Sequence, residues 1–168
     1  HRVDNFTSPV TAYLEGDDID FYTINCGSIN TDFIPVSYVG YAVKEYENGN
    51  KDKKVNPGEG LYLDVKSYNN GLSAFLNVSV LLSTTSNYVT IVRNTGTMGN
   101  IYANEYHSLT DYDDTESGCS LMAGDYFGNA FKFSVASNCP SGAVLPFTLT
   151  FADSSGNSWT DNFSITVQ

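Results

Sequence analysis

The sequence predicts an all-β protein, an antiparallel β-sandwich of about seven to nine strands with one long irregular loop. Three observations lead there. Apolar residues alternate with polar ones at period two in one segment after another. Turn signals recur roughly every 8 to 15 residues. Twelve Tyr and ten Phe, with many Thr and Val, favour strands, and no stretch keeps a helical period over about three turns.

Residues 1–32 read as an N-terminal extension, either an added edge strand around Ile19–Ile24 or the end of a preceding domain. The sandwich domain is expected over residues 33–168. Its first strand, Ile34 to Val43, is aromatic and β-branched, with Pro35 near the start, where a missing N–H does least harm. Lys44 to Val55 reads as a polar loop. Asn56-Pro57-Gly58-Glu59 follows, with Pro57 presetting φ and Gly58 supplying a positive φ, the pattern of a type II turn.

Leu61, Leu63 and Val65 alternate with Tyr62, Asp64 and Lys66, the period of a half-buried strand. Asn69-Asn70-Gly71 then reads as a hairpin turn into Leu72–Ser83. Tyr88–Val92 and Thr95–Met98 are the next expected strands. Three clear alternations close the chain: Phe131/Phe133/Val135, Phe147/Leu149/Phe151 and Phe163/Ile165/Val167. Asp153–Asn157 joins the last two as a hairpin loop. Pro146 inside Val144–Phe151 suggests an edge or a bulge there.

At 168 residues, 41% of them hydrophobic, the chain has enough apolar content for a core. Lys and Arg number 8 against 19 Asp and Glu, for a net charge of −11. That balance argues against nucleic acid, whose phosphates need a basic surface, and against anionic membranes. No apolar run is long enough to span a bilayer. The chain starts at His1 without Met and reads as a piece of a longer protein.

Gly99 to Asn129 is out of proportion for a connection. It holds Asp111, Asp113, Asp114 and Glu116, and no Lys or Arg occurs between Arg93 and Lys132. Asp111-x-Asp113-Asp114-x-Glu116 sets hard oxygens at a spacing calcium tolerates, although the EF-hand glycine is missing. We therefore take these four as candidate metal ligands, with calcium the cofactor in view. Tyr106, Tyr112 and Tyr126 are candidate ligand-binding residues, since amphipathic rings stack on sugars at wet interfaces. Glu47 to Asp52 also offers oxygens, but Lys51, Lys53 and Lys54 neutralise much of its charge.

Cys26, Cys119 and Cys139 fit no zinc spacing. They read as one disulfide with one thiol, or as three thiols; Cys119–Cys139 is the first candidate pair. No nucleophile elbow surrounds Ser120, and the acids cluster in one loop rather than on opposing walls of a cleft. Catalysis is not expected.

Asn56-Pro57-Gly58-Glu59 with its alternating strand and Asn-x-Gly turn resembles the Ig-like accessory domains of bacterial surface and secreted proteins. These include CARDB-type modules and C-terminal domains of secreted peptidases. The segments Phe131–Ala136, Cys139–Leu149 and Asp153–Trp159 are similar too, so the resemblance covers about Phe33 to Gln168. It implies an Ig-like sandwich and a non-catalytic role as a spacer, adhesion or substrate-presenting module. It also implies a secreted or cell-surface location and a neighbouring domain of the parent chain as partner. A carbohydrate-binding sandwich, calcium-supported and using the 99–129 loop against a surface glycan, is the alternative; a surface protein is a further partner in view.

Overall fold

A computed structural model describes residues 34–110 and 129–168. Nine strands occur among them: β1 (Val36–Glu47), β2 (Gly60–Asn69), β3 (Phe75–Thr84), β4 (Val89–Arg93), β5 (Thr95–Ile101), β6 (Tyr106–Ser108), β7 (Phe131–Val135), β8 (Val144–Ala152) and β9 (Ser158–Thr166). They form two antiparallel sheets. One has the order β1-β2-β7-β4, with β6 also paired to β2; the other has the order β5-β3-β8-β9. The pairings β1-β2-β7-β4 and β3-β8-β9 follow the ABED and CFG partition of an Ig-like sandwich.

The core is the alternation read from the sequence. Leu61, Leu63, Val65, Phe131 and Phe133 from one sheet meet Val80, Leu82, Leu145, Phe147, Leu149 and Phe151 from the other, all of them buried. Across the layers, Phe133 and Phe147 lie edge to face at 5.4 Å, a favoured aromatic geometry.

Several elements depart from the expected ones. Asn69-Asn70-Gly71 does not close a hairpin, because β2 and β3 belong to different sheets. Instead the Asn69 side chain makes a corner. Its Nδ2 donates to the carbonyls of Ser73 (3.0 Å) and Ile101 (2.9 Å), and its Oδ1 accepts from Gly71 N at 2.8 Å. The β2 strand is not half-buried either, for Asp64, Lys66 and Ser67 on it are as hidden as its leucines. It is flanked by β1 on one side and by β7 and then β6 on the other.

The first strand runs on to Glu47, so the polar loop is shorter than expected. The stretch 99–129 is also ordered at its start, since β5 reaches Ile101 and β6 lies inside it. Pro146 sits in a central strand rather than at an edge. Its place is still physically sensible, because the last rung between β3 and β8 is Thr84 with Phe147. Pro146 lies one residue beyond it, where no N–H is needed on that side.

The Asn-Pro-Gly-Glu turn forms as expected, with Gly58 at φ 85° and Glu59 N donating to Asn56 O. Gly58 N bonds Val135 O at 3.0 Å and Val135 N bonds Glu59 O at 2.9 Å, which ties the turn to the end of β7.

Candidate functional site

The described residues build the base of the long acidic segment. The chain leaves β6 through Leu109 and Thr110, both buried, and re-enters at Asn129 before β7. Two polar side chains hold these ends. Asp64, on β2 between the rungs made by β7 and β6, accepts from Leu109 N and from Thr110 Oγ1, each at 3.0 Å. A carboxylate with only 1% of its residue exposed is costly unless it is hydrogen-bonded. Here the bonds fall on the departing strand end.

Asn129 holds the return. Its Oδ1 accepts from Thr97 N at 2.8 Å, and its Nδ2 donates to Leu109 O at 2.8 Å and also to Thr97 O. One amide thus joins both ends of the segment to β5. Arg93 Nε adds a bond to Ala130 O at 2.6 Å. Gly96 leaves room for this junction, since a Cβ there would lie 2.6 Å from Leu109 Cδ2 and 3.0 Å from Asn129 O.

Tyr106 is the one candidate ligand-binding tyrosine among the described residues. It stands on β6, 38% exposed. Its ring lies 4.6 Å from that of Tyr68, its rung partner, and Lys66 Nζ sits 4.9 Å from its centroid. Tyr112 and Tyr126, the candidate metal ligands Asp111, Asp113, Asp114 and Glu116, and Cys119 all lie outside the described residues. Cys139 is a buried free thiol whose Sγ lies 3.8 Å from Pro140 O.

The second oxygen-rich loop has a structural task. The Glu59 carboxylate is buried and accepts from Asn50 N, Asn56 N and Asn56 Nδ2. Asp52 accepts from Lys54 N at 2.9 Å and from the side chains of Asn50 and Asn56. Slight desolvation by the surrounding loop pushes the pKa of the exposed Asp52 up, but the bonds from Lys54, Asn56 and Asn50 outweigh it and hold the carboxyl below its ordinary value. These oxygens are therefore engaged by the loop's own N–H groups. Among the described residues no group of three or more His, Cys, Asp or Glu could hold a metal ion.

Asp64 and Asn129 were not legible as functional positions from pattern alone. Asp64 sits where alternation places solvent-facing residues, and Asn129 reads as an ordinary loop residue. The only available signal was a carboxylate between Leu63 and Val65, in the most apolar part of its strand.

No protein-family model and no curated protein matches the sequence. Among solved structures, a FixG-related protein from Vibrio parahaemolyticus is similar at 10% identity, over 81% of this chain and 99% of that one, with a TM-score of 0.36. The sporulation control protein Spo0M from Bacillus subtilis is similar at 15% identity, over 77% of this chain, with a TM-score of 0.34. This chain spans half of Spo0M's length. At such scores neither similarity carries a functional inference.

Proposed function

We propose that the chain is a non-catalytic Ig-like module of a secreted or cell-surface bacterial protein, whose sandwich displays the acidic segment 111–128, with Tyr112 and Tyr126, to a surface partner. The observation that carries this reading is the double anchor at the segment's ends, Asp64 on one and Asn129 on both. Loops held by a rigid scaffold are where binding residues concentrate. The resemblance to accessory domains of surface and secreted proteins supports the same role.

A second reading makes the partner a glycan, with calcium ordering Asp111, Asp113, Asp114 and Glu116. The favouring observation is Tyr106, an exposed ring beside Tyr68 next to the segment's root. Replacing 111–128 by a short Gly/Ser linker tests the display role. The variant should unfold cooperatively near the parent's midpoint and lose binding on a glycan array and to intact bacterial surfaces. Binding that persists without the segment would overturn the display role. Array binding that disappears with chelator selects the calcium-supported glycan reading.

A further inference from the structure

The connection from β1 to β2 runs from Asn48 to Glu59, between the paired residues Glu47 and Gly60 that close the ladder of the two strands. That is the length of an EF-hand calcium loop, whose ligands stand at its positions 1, 3, 5, 7, 9 and 12. Here those positions are Asn48, Asn50, Asp52, Lys54, Asn56 and Glu59. Every one that must coordinate through a side chain has an oxygen to offer. Position 7 coordinates through its backbone carbonyl, so a lysine serves there, and position 12 has its glutamate. Position 6 is ordinarily glycine, for a sharp turn. Lys53 stands there instead, with the left-handed φ of 60° that glycine would supply.

The side chains also converge. Asn56 Nδ2 lies 3.3 and 3.2 Å from the two Asp52 carboxylate oxygens and 3.2 Å from Glu59 Oε2. Asn50 Nδ2 lies 3.0 Å from Asp52 Oδ2. Turned over, the Asn56 amide would present its oxygen where its nitrogen now stands. Asp52 would then keep the bonds from Lys54 N and Asn50 Nδ2, and Glu59 those from Asn50 N and Asn56 N. A carboxylate has about four lone-pair sites, so each acid retains room for a cation. The Asn48 side chain and the Lys54 carbonyl accept no hydrogen bond from the described residues.

Charge gives a separate indication. Glu59 is only 3% exposed, and its donors, Asn50 N, Asn56 N and Asn56 Nδ2, are all neutral. Among the described residues no Lys, Arg or His is ion-paired to it. Buried charges are ordinarily paired or coordinate a metal, and Glu59 has the second carboxylate of Asp52 beside the same amide. Lys51, Lys53 and Lys54 are exposed and form an ion pair with neither acid. The loop holds too few acids to count as a carboxylate cluster, but calcium also takes amide and main-chain carbonyl oxygens.

We propose that the β1–β2 connection is a calcium site, with side-chain oxygens of Asn48, Asn50, Asp52, Asn56 and Glu59 and the Lys54 carbonyl as ligands. Two carboxylates among six ligands put it at the weak end of such loops, with a Kd of about 0.1–1 mM, as in extracellular modules. The site is separate from Asp111, Asp113, Asp114 and Glu116 and does not depend on them.

The test is an amide-shift NMR titration of the full chain, stripped with chelator, using calcium chloride against magnesium chloride. Calcium should shift residues 48–59 and bind at least fivefold more tightly than magnesium, which demands a stricter geometry. Asp52→Asn, at an exposed position, should weaken calcium at least fivefold. Asn48→Asp supplies the missing acid at position 1 and should tighten it at least fivefold. Glu59→Gln should abolish binding; if that variant fails to fold, the other two still decide. No shift in residues 48–59 at calcium about tenfold above the expected range would overturn the proposal. So would equal affinity for magnesium, or an affinity unmoved by both Asp52→Asn and Asn48→Asp. Shifts confined to residues 111–128 would overturn it too and assign calcium to that segment instead.

Discussion

The indole N–H of Trp159 donates to the backbone carbonyl of Val36 at 3.0 Å, so a side chain on the last strand of one sheet holds the first strand of the other. The ring itself stacks on Phe151 at 5.8 Å and tilts against Phe75 at 5.0 Å. Trp159→Phe keeps much of the aromatic packing and removes the donor. Leaving a carbonyl at a fully buried residue short of a partner should cost about 1–3 kcal/mol. Urea unfolding should show a lower midpoint at unchanged slope; an unaltered midpoint would mean that the clamp contributes nothing.

Asp64 should be the most sensitive polar position in the fold. Asp64→Ala strips the acceptor from Leu109 N and Thr110 Oγ1. Bonds to a charged group contribute about 1.5–3 kcal/mol each, so a loss of about 3 kcal/mol or more is expected. Asp64→Asn keeps one carbonyl oxygen and should lose roughly half of that. Limited proteolysis offers an independent readout, with faster cleavage between Leu109 and Asn129 in the alanine variant than in the asparagine one. Equal cleavage in parent and alanine variant would remove Asp64 from its anchoring role.

Acid should loosen the β8–β9 hairpin. Asp153 accepts from Asn157 Nδ2, Asn157 N and Ser155 N, and these bonds, the Asn157 side chain foremost, hold its carboxyl below the ordinary value. A lowered folded pKa favours the folded state above the unfolded value of about 3.9, and that support is lost as pH falls through the folded value. Carboxyl-carbon NMR titration should place both Asp153 and Asp52 below an ordinary aspartate. Asp153→Asn should flatten the acid side of the stability profile. Midpoints at the ordinary value would defeat this expectation.

Gly96→Ala should disturb the junction from the opposite side. The new methyl meets Leu109 Cδ2 and the rigid carbonyl of Asn129, and overpacking of that kind costs typically about 1–3 kcal/mol. Heat unfolding would register it as a lower Tm. The same substitution at Gly40, where a Cβ meets nothing within 4 Å, is the matched control and should leave Tm nearly unchanged.

Strand positions were readable because period-two alternation reports directly on burial. Phe131, Phe133 and Val135 face the core as their spacing requires, and so do Phe147, Leu149 and Phe151. Sheet membership was not readable in the same way. Asn69-Asn70-Gly71 has the composition of a hairpin turn, yet what decides its path is Asn69 reaching Ile101, 32 residues away. Local propensity contains no term for that contact. Asp64 escaped for a related reason: alternation assigns a face, but it cannot say that Leu109 N and Thr110 Oγ1, 45 and 46 residues away, will bond the carboxylate there. Of the site residues the sequence singled out, Tyr106 and Cys139 fall among the described residues.

The junction at Asp64, Leu109 and Asn129 bears on how such a chain can change over generations. Once both ends of a segment are fixed by bonds that belong to the sandwich, the length between them matters little, each doubling of a flexible loop costing only about 0.6 kcal/mol. Substitutions at Asp64, Gly96 or Asn129 therefore strike the junction itself, since each of the three meets Leu109 or its neighbour across it. The junction is, in effect, a socket wired from the host's own side chains.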